Sequence, residues 1–337
     1  MNVLHVVPSG LSLALEPGLL LALLIAVPLA AALLAMLLGR AGALVLAPSM
    51  LGIALILALL AKALIQAPLA PLEIGGWGAP LGIDLYLDGL ALVMLVTTAV
   101  IVMAVALAGR AIAASSPQGL FWPLLLIGWA GLNALFLSAD LFNLYVAIEV
   151  VSLAAIALTG LTRELTALRA ALGYLFVSLL GSLFFLMGTA LLYRFHGLLD
   201  LPLLAEAMTG DLSDSVALAL ITAGLLFKTA LVPLHSWLPL AHASAAPPIS
   251  ALLSAIVVKA TFYLLLRIWG SLGPGELPYA LLAALGMIAV LWGSLQALRA
   301  EKLMAMIAYS TVAQLGYLFI ALALLARAPD LLSAALL

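Results

Sequence analysis

The chain has 337 residues, 67% of them hydrophobic and only 8% charged, with a formal net charge of −2. So few charges cannot cover a water-soluble surface of this size, and a mean hydropathy of +1.35 points to a polytopic membrane protein. The near-neutral balance leaves no footprint for nucleic acid, and the lack of cysteine excludes disulfides, thiolate zinc sites and cysteine-ligated iron–sulfur clusters.

A helix needs about 20 apolar residues to cross the hydrocarbon core. Ten stretches qualify: residues 18–38, 43–65, 86–109, 121–139, 141–161, 168–193, 217–240, 248–269, 277–298 and 303–326. An eleventh begins at Leu331. The expected fold is therefore an all-α polytopic membrane protein. No basic n-region precedes a small-residue cleavage site, so the first span is expected to serve as the insertion signal. Between spans two and three, residues 66–85 are rich in Gly and Pro and predict an ordered turn or short hairpin. Residues 198–215 are acidic and predict a short surface helix or loop.

Basic residues set the expected orientation. Arg40, Arg110, Arg163, Arg169, Arg299 and Lys302 fall on one side. The other side holds Lys62, Arg194, Arg267 and Arg327 with most of the acids, among them Glu73, Asp84, Asp200, Glu206, Asp211, Asp214 and Glu276. The positive-inside rule then places the Arg40 side in the cytoplasm and the N-terminus outside.

Three ionisable residues sit deep inside apolar runs: Glu149 in span five, Lys228 in span seven and Lys259 in span eight. A charge at mid-bilayer depth costs about 2.5–3.5 kcal/mol even on lenient scales, so such residues are functional candidates by default. Pro233 cannot donate a backbone hydrogen bond and should break span seven, with Lys228 five residues before it and His235 two after. Irregular backbone at membrane depth is tolerated against protein or a hydrated cavity, where transporter ion sites are found. A proline kink that only serves packing is the plainer alternative.

Lys228 is the natural partner of Glu149. The carboxylate holds the ammonium charged, and separating the pair would release the proton, which makes a switch. A static ion pair is the competing reading, weakened because a buried pair seldom stabilises more than an apolar one. Lys259 has no acid within a helical turn and lies some ten residues from either end of its segment, too deep to snorkel. Thr229, Ser250, Ser254, Tyr309, Ser310, Thr311 and Gln314 supply polar groups that can order water or glue helices together. His242 falls in the loop after span seven, at a mouth of the path or simply in solvent.

The stretch FKTALVPLHSWLPLAHASAAPPISALLSAIVVKATFYLLLRIW resembles the core of the antiporter-like subunits of respiratory complex I and of Mrp-type sodium/proton antiporters. DLFNLYVAIEVVSL and EKLMAMIAYSTVAQLGYLFI resemble two further family segments, in family order, over roughly residues 84–327. The resemblance implies two inverted five-helix repeats within about fourteen helices, with a broken helix seven. On this chain they divide into residues 1–120 (helices 1–3), 121–270 (first repeat) and 271–337 (an incomplete second repeat). It further implies that Glu149 pairs with Lys228 and that Lys259 relays protons onward. Ser254 stands where complex I members usually carry histidine, closer to the Mrp-type and membrane-hydrogenase branches. Family members are normally longer, so helices eleven to fourteen, with a distal lysine or glutamate, are expected to be missing here.

The function expected is a proton-translocating subunit of a multi-subunit cation/proton antiporter or redox-driven pump, in a bacterial plasma membrane. Its implied partners are the bilayer, other membrane subunits, protons and Na+. No cofactor, metal or nucleic acid is expected, and no active site of its own, since HExxH and GxSxG patterns are absent. Such a chain could belong to an NADH-quinone oxidoreductase or a membrane hydrogenase complex, with electron transfer in a partner. A non-conducting structural subunit is the competing reading.

Overall fold

The computed structural model describes residues 16–80, 82–273 and 276–325. It is helical almost throughout. Helices α1 (Pro17–Leu38), α2 (Leu46–Gln66), α3 (Gly89–Ala108), α4 (Arg110–Ser115), α5 (Phe121–Leu137), α6 (Leu141–Thr159) and α7 (Leu165–His196) are followed by α8 (Leu201–Ala207) and α9 (Leu212–Thr229). The remainder comprises α10 (Trp237–Ser244), α11 (Pro247–Leu252), α12 (Val258–Leu272), α13 (Glu276–Arg299) and α14 (Leu303–Leu325).

Among the described residues, eight helical stretches are long and apolar enough to cross a membrane. One, Pro17–Gln66, is divided by a tight 3₁₀ turn at Gly39–Val45 into α1 and α2, which fold back on each other. Helix α5 is a shorter apolar helix of 17 residues. All ten apolar segments read from the sequence correspond to helix; the eleventh lies outside the described residues. Large side chains such as Leu37, Leu51 and Ile65 remain exposed, as a lipid-facing surface requires.

Two segments depart from their predicted course. Helix α7 has 32 residues and, at about 1.5 Å per residue, is roughly 48 Å long, more than the roughly 30 Å hydrocarbon core. Span seven is broken, as Pro233 predicts, but the helix ends at Thr229 itself and resumes only at Trp237. Its end is a Schellman closure: Leu231 N–H donates to Leu226 O and Ala230 N–H to Phe227 O. Ala230 takes the left-handed position at φ 58°, where glycine is usual. Trp237 Nε1–H donates to Phe227 O at 3.0 Å, giving that carbonyl of the last turn a side-chain partner.

Residues 66–85 do form a hairpin. Strands β1 (Leu72–Glu73) and β2 (Asp84–Leu85) pair antiparallel, with Leu72 opposite Leu85 and Glu73 opposite Asp84. This loop joins two others on the same side. Tyr86 N–H donates to Leu137 O, Leu141 N–H to Leu199 O and Leu201 N–H to Ala139 O. Burial pushes the carboxyls of Asp140 and Asp200 up from their ordinary range, helped by nearby Asp84.

The bundle that positions the deep charges is α6, α7 and α9, with α12 against α9 and α10 against α7 and α14. Helices α13 and α14 form a closely packed pair beside it.

Candidate functional site

Lys228 lies in the last turn of α9, one residue before the break, with 4% of the residue exposed. Its Nζ donates to Glu149 Oε1 at 2.9 Å, Ser178 Oγ at 2.8 Å and Ser152 Oγ at 3.1 Å. Three acceptors match the three N–H groups of an ammonium. Glu149, on α6, also accepts from Ser182 Oγ on α7, and its side chain is 17% exposed. The opposite charges offset each other's desolvation, and the serines supply the remaining bonds a buried ion requires.

Close helix approach makes this geometry possible. A Cβ added at Gly181 on α7 would lie 2.8 Å from Gly224 O and 3.3 Å from Lys228 Cγ. One at Gly224 on α9 would lie 2.5 Å from Gly181 O. Only hydrogen at both positions lets the two backbones touch, so that the lysine stem runs over α7 to its serines. At the acidic end of the same two helices, His196 Nε2 meets Asp214 Oδ1 at 2.6 Å.

Lys259 is half-buried on α12, just beyond a π turn at Leu253–Val257. Its Nζ donates to the Ser254 carbonyl, so the lysine expected to lack a partner is held by its own helix. Ser254 Oγ bonds Thr311 Oγ1 on α14 at 2.8 Å. Thr229 Oγ1 on α9 donates to Thr261 Oγ1 on α12 at 3.0 Å, joining the two helices that carry the lysines. Ser250 Oγ bonds His242 Nδ1 at 2.7 Å, and that imidazole is within Coulombic reach of Lys259.

Three expectations need correction. His242 is neither in a loop nor solvated: it lies in α10 with 0% exposure, because the chain resumes a helix at Trp237. His235 is not placed beside Lys228. The break swings residues 230–236 off the helical course, and His235 Nε2 instead accepts from Trp292 Nε1 on α13 at 3.0 Å. The polar residues of α14 do not converge. Thr311 is buried against Ser254, Ser310 Oγ returns to Ile307 O, Tyr309 is half-buried, and Gln314 is exposed on the outer face. Steps of 100° per residue spread such a run around the helix.

Two polar constellations were not singled out from the sequence. Ser152, Ser178 and Ser182 surround the Glu149–Lys228 pair; their signal was spacing, Ser152 three residues after Glu149 and the other two one turn apart. Arg267 forks onto Asp88, with NH1 2.5 Å from Oδ2 and NH2 2.6 Å from Oδ1. Its Nε–H donates to Tyr263 OH, which in turn donates to Phe136 O.

Buried ionisable side chains, a broken helix and the helical packing around them define an integral membrane protein with polar groups held inside its bundle. The family of NADH:quinone oxidoreductase/Mrp antiporter transmembrane domains matches residues 138–334, and the chain belongs to it. It is 37% identical over 261 residues to NADH-quinone oxidoreductase subunit N of Desulforudis audaxviator, covering 74% of this chain and 52% of that protein. A chain of the archaeal membrane-bound sulfane sulfur reductase, a respiratory membrane complex, superposes with a TM-score of 0.84 at 32% identity, over 90% of this chain and 64% of that one. A chain of the Mrp complex from Dietzia sp. superposes with a TM-score of 0.83 at 27% identity, over 92% and 59%. The chain thus spans about half the length of the curated relatives it matches.

Proposed function

We propose that this chain moves protons across the membrane as one subunit of a multi-subunit complex, either a cation/proton antiporter or a redox-driven pump. Other membrane subunits are its partners, and protons, alone or against Na+, its cargo. The observation that carries this reading is the Lys228 ammonium, buried beside a helix break and held by Glu149 and two serines. A group placed there at such cost can bind a proton, and loosening Glu149 can release it.

In this reading Glu149 gates, Lys228 and Lys259 carry the proton in turn, and His235 stands at the far side of the break. Thr229, Thr261, Ser250 and Ser254 line the way between; the threonine pair at 3.0 Å supports that course. Residues 1–120, 121–270 and 271–337 act as an N-terminal unit, a first repeat and part of a second. The Arg40 and Arg163 side faces the cytoplasm of a bacterial cell, with the N-terminus outside, in keeping with the basic residues gathered there.

Proton flux into membrane vesicles carrying the complex tests the reading. Lys259→Ala should assemble normally and reduce flux by ~100-fold or more, the range contributed by a positioned proton carrier. Native flux in that variant would take Lys259 off the path and leave a structural role for the chain.

A further inference from the structure

We propose that Ser152 and Ser178 are positioning residues that hold Lys228 in place through both of its protonation states, by turning a hydroxyl instead of moving the lysine. The inference rests on the proton-relay reading above. Buried hydroxyls on these helices elsewhere spend their hydrogen on a backbone carbonyl one turn back. Thr159 donates to Ala155 O, Ser182 to Ser178 O, Thr189 to Phe185 O and Thr229 to Leu225 O. This is the usual habit of Ser and Thr inside membrane helices. Ser152 and Ser178 depart from it. Both are buried, at 5% and 3% exposure, and both accept from Lys228 Nζ. Among the described residues neither hydroxyl donates to anything, so each hydrogen is free to turn.

That freedom matters when the proton leaves. The ammonium presents three N–H groups to Glu149 Oε1, Ser152 Oγ and Ser178 Oγ. When one proton passes to the free amine of Lys259, the Lys228 nitrogen keeps the electron pair of the broken N–H bond. It now has two N–H donors and one acceptor site. With Glu149 loosened and the proton gone, one serine turns its hydrogen onto that lone pair while the amine still donates to the other, and the lysine nitrogen keeps its place. Ser182 serves Glu149 in the same way. Its single hydrogen has two acceptors within reach, Glu149 Oε1 and Ser178 O at 2.8 Å, so it can follow the charge on the carboxylate.

The test compares native chain, Ser152→Ala, Ser178→Ala, Ser178→Thr and Lys228→Ala in vesicles carrying the intact complex. Flux is read against pH, with immunoblotting for the amount assembled. Each alanine variant should lose roughly ten-fold in flux and move the pH profile by about one unit, the equivalent of one charge-assisted hydrogen bond. Ser178→Thr, which keeps the hydroxyl, should restore both, and Lys228→Ala should abolish flux. Alanine variants with the native pH profile beside a dead Lys228→Ala would overturn the serine role and leave the relay standing. A loss that threonine does not restore would do the same, marking the site as packing. Native flux in Lys228→Ala would overturn the relay itself. Should Ser178→Ala fail to assemble, Ser152→Ala carries the same decision from the neighbouring helix.

Discussion

At Lys228 an ammonium is held where insertion costs about 2.5–3.5 kcal/mol, and three hydrogen bonds with one opposite charge offset that cost. Removing one partner of such a pair leaves a buried charge uncompensated, at about 3–5 kcal/mol. Glu149→Gln should therefore lower the thermal midpoint of the purified complex as well as its flux. Adding Lys228→Met should recover the midpoint while flux stays lost, since replacing both members removes the unpaired ion. An unchanged midpoint in Glu149→Gln would show that the pair contributes nothing net to stability. The pairing of Glu149 with Lys228 was legible because opposite charges in apolar runs have few places to go. The serines were not: a serine in a membrane helix usually bonds its own backbone, and only the approach of α6, α7 and α9 turns two of them onto the lysine.

At the scale of elements, local chemistry reads directly into helix starts. Asp88, Asp140, Asp200 and Asp211 are the N-caps of α3, α6, α8 and α9, each accepting from a backbone N–H three residues on. A carboxylate there also meets the positive end of the helix dipole, which explains why acids gather on one side of this chain. Pro233 announced a break, yet its extent was set by the left-handed Ala230 and the Trp237 cap, which proline alone does not specify. The contact of α7 with α9 depends on glycines whose role is invisible without the partner helix. In Gly224→Ala the new Cβ would stand 2.5 Å from Gly181 O and 2.7 Å from Phe185 N, so the helices must part. The expected loss is about 1–3 kcal/mol, with weaker flux as Lys228 is drawn away from Ser178. Gly173→Ala, with nothing within 4 Å, is the matched control and should be neutral or slightly stabilising. Equal denaturation midpoints for the two variants would contradict the close-contact account.

At the scale of the molecule, Asp88, Arg267, Tyr263 and Phe136 tie the start of α3, the end of α5 and the middle of α12 into one knot, on the helix that carries Lys259. Arg267→Met should cost about 3–5 kcal/mol by leaving Asp88 buried and unpaired. Adding Asp88→Asn, whose amide oxygen can still cap Ala91 N–H, should restore much of that loss. Simple additivity of the two changes in a denaturation cycle would mean that the pair is not coupled. The sequence by itself determined the solvent, the spans and the depth of each charge, because hydropathy and insertion cost are properties of single segments. It also marked the helix break, which depends on neighbouring residues along the chain. Tertiary structure alone decided which polar atoms meet. It turned His235 to Trp292, buried His242, sent Gln314 to the outer face and closed the serines around Lys228, because such contacts depend on how helices distant in sequence approach one another.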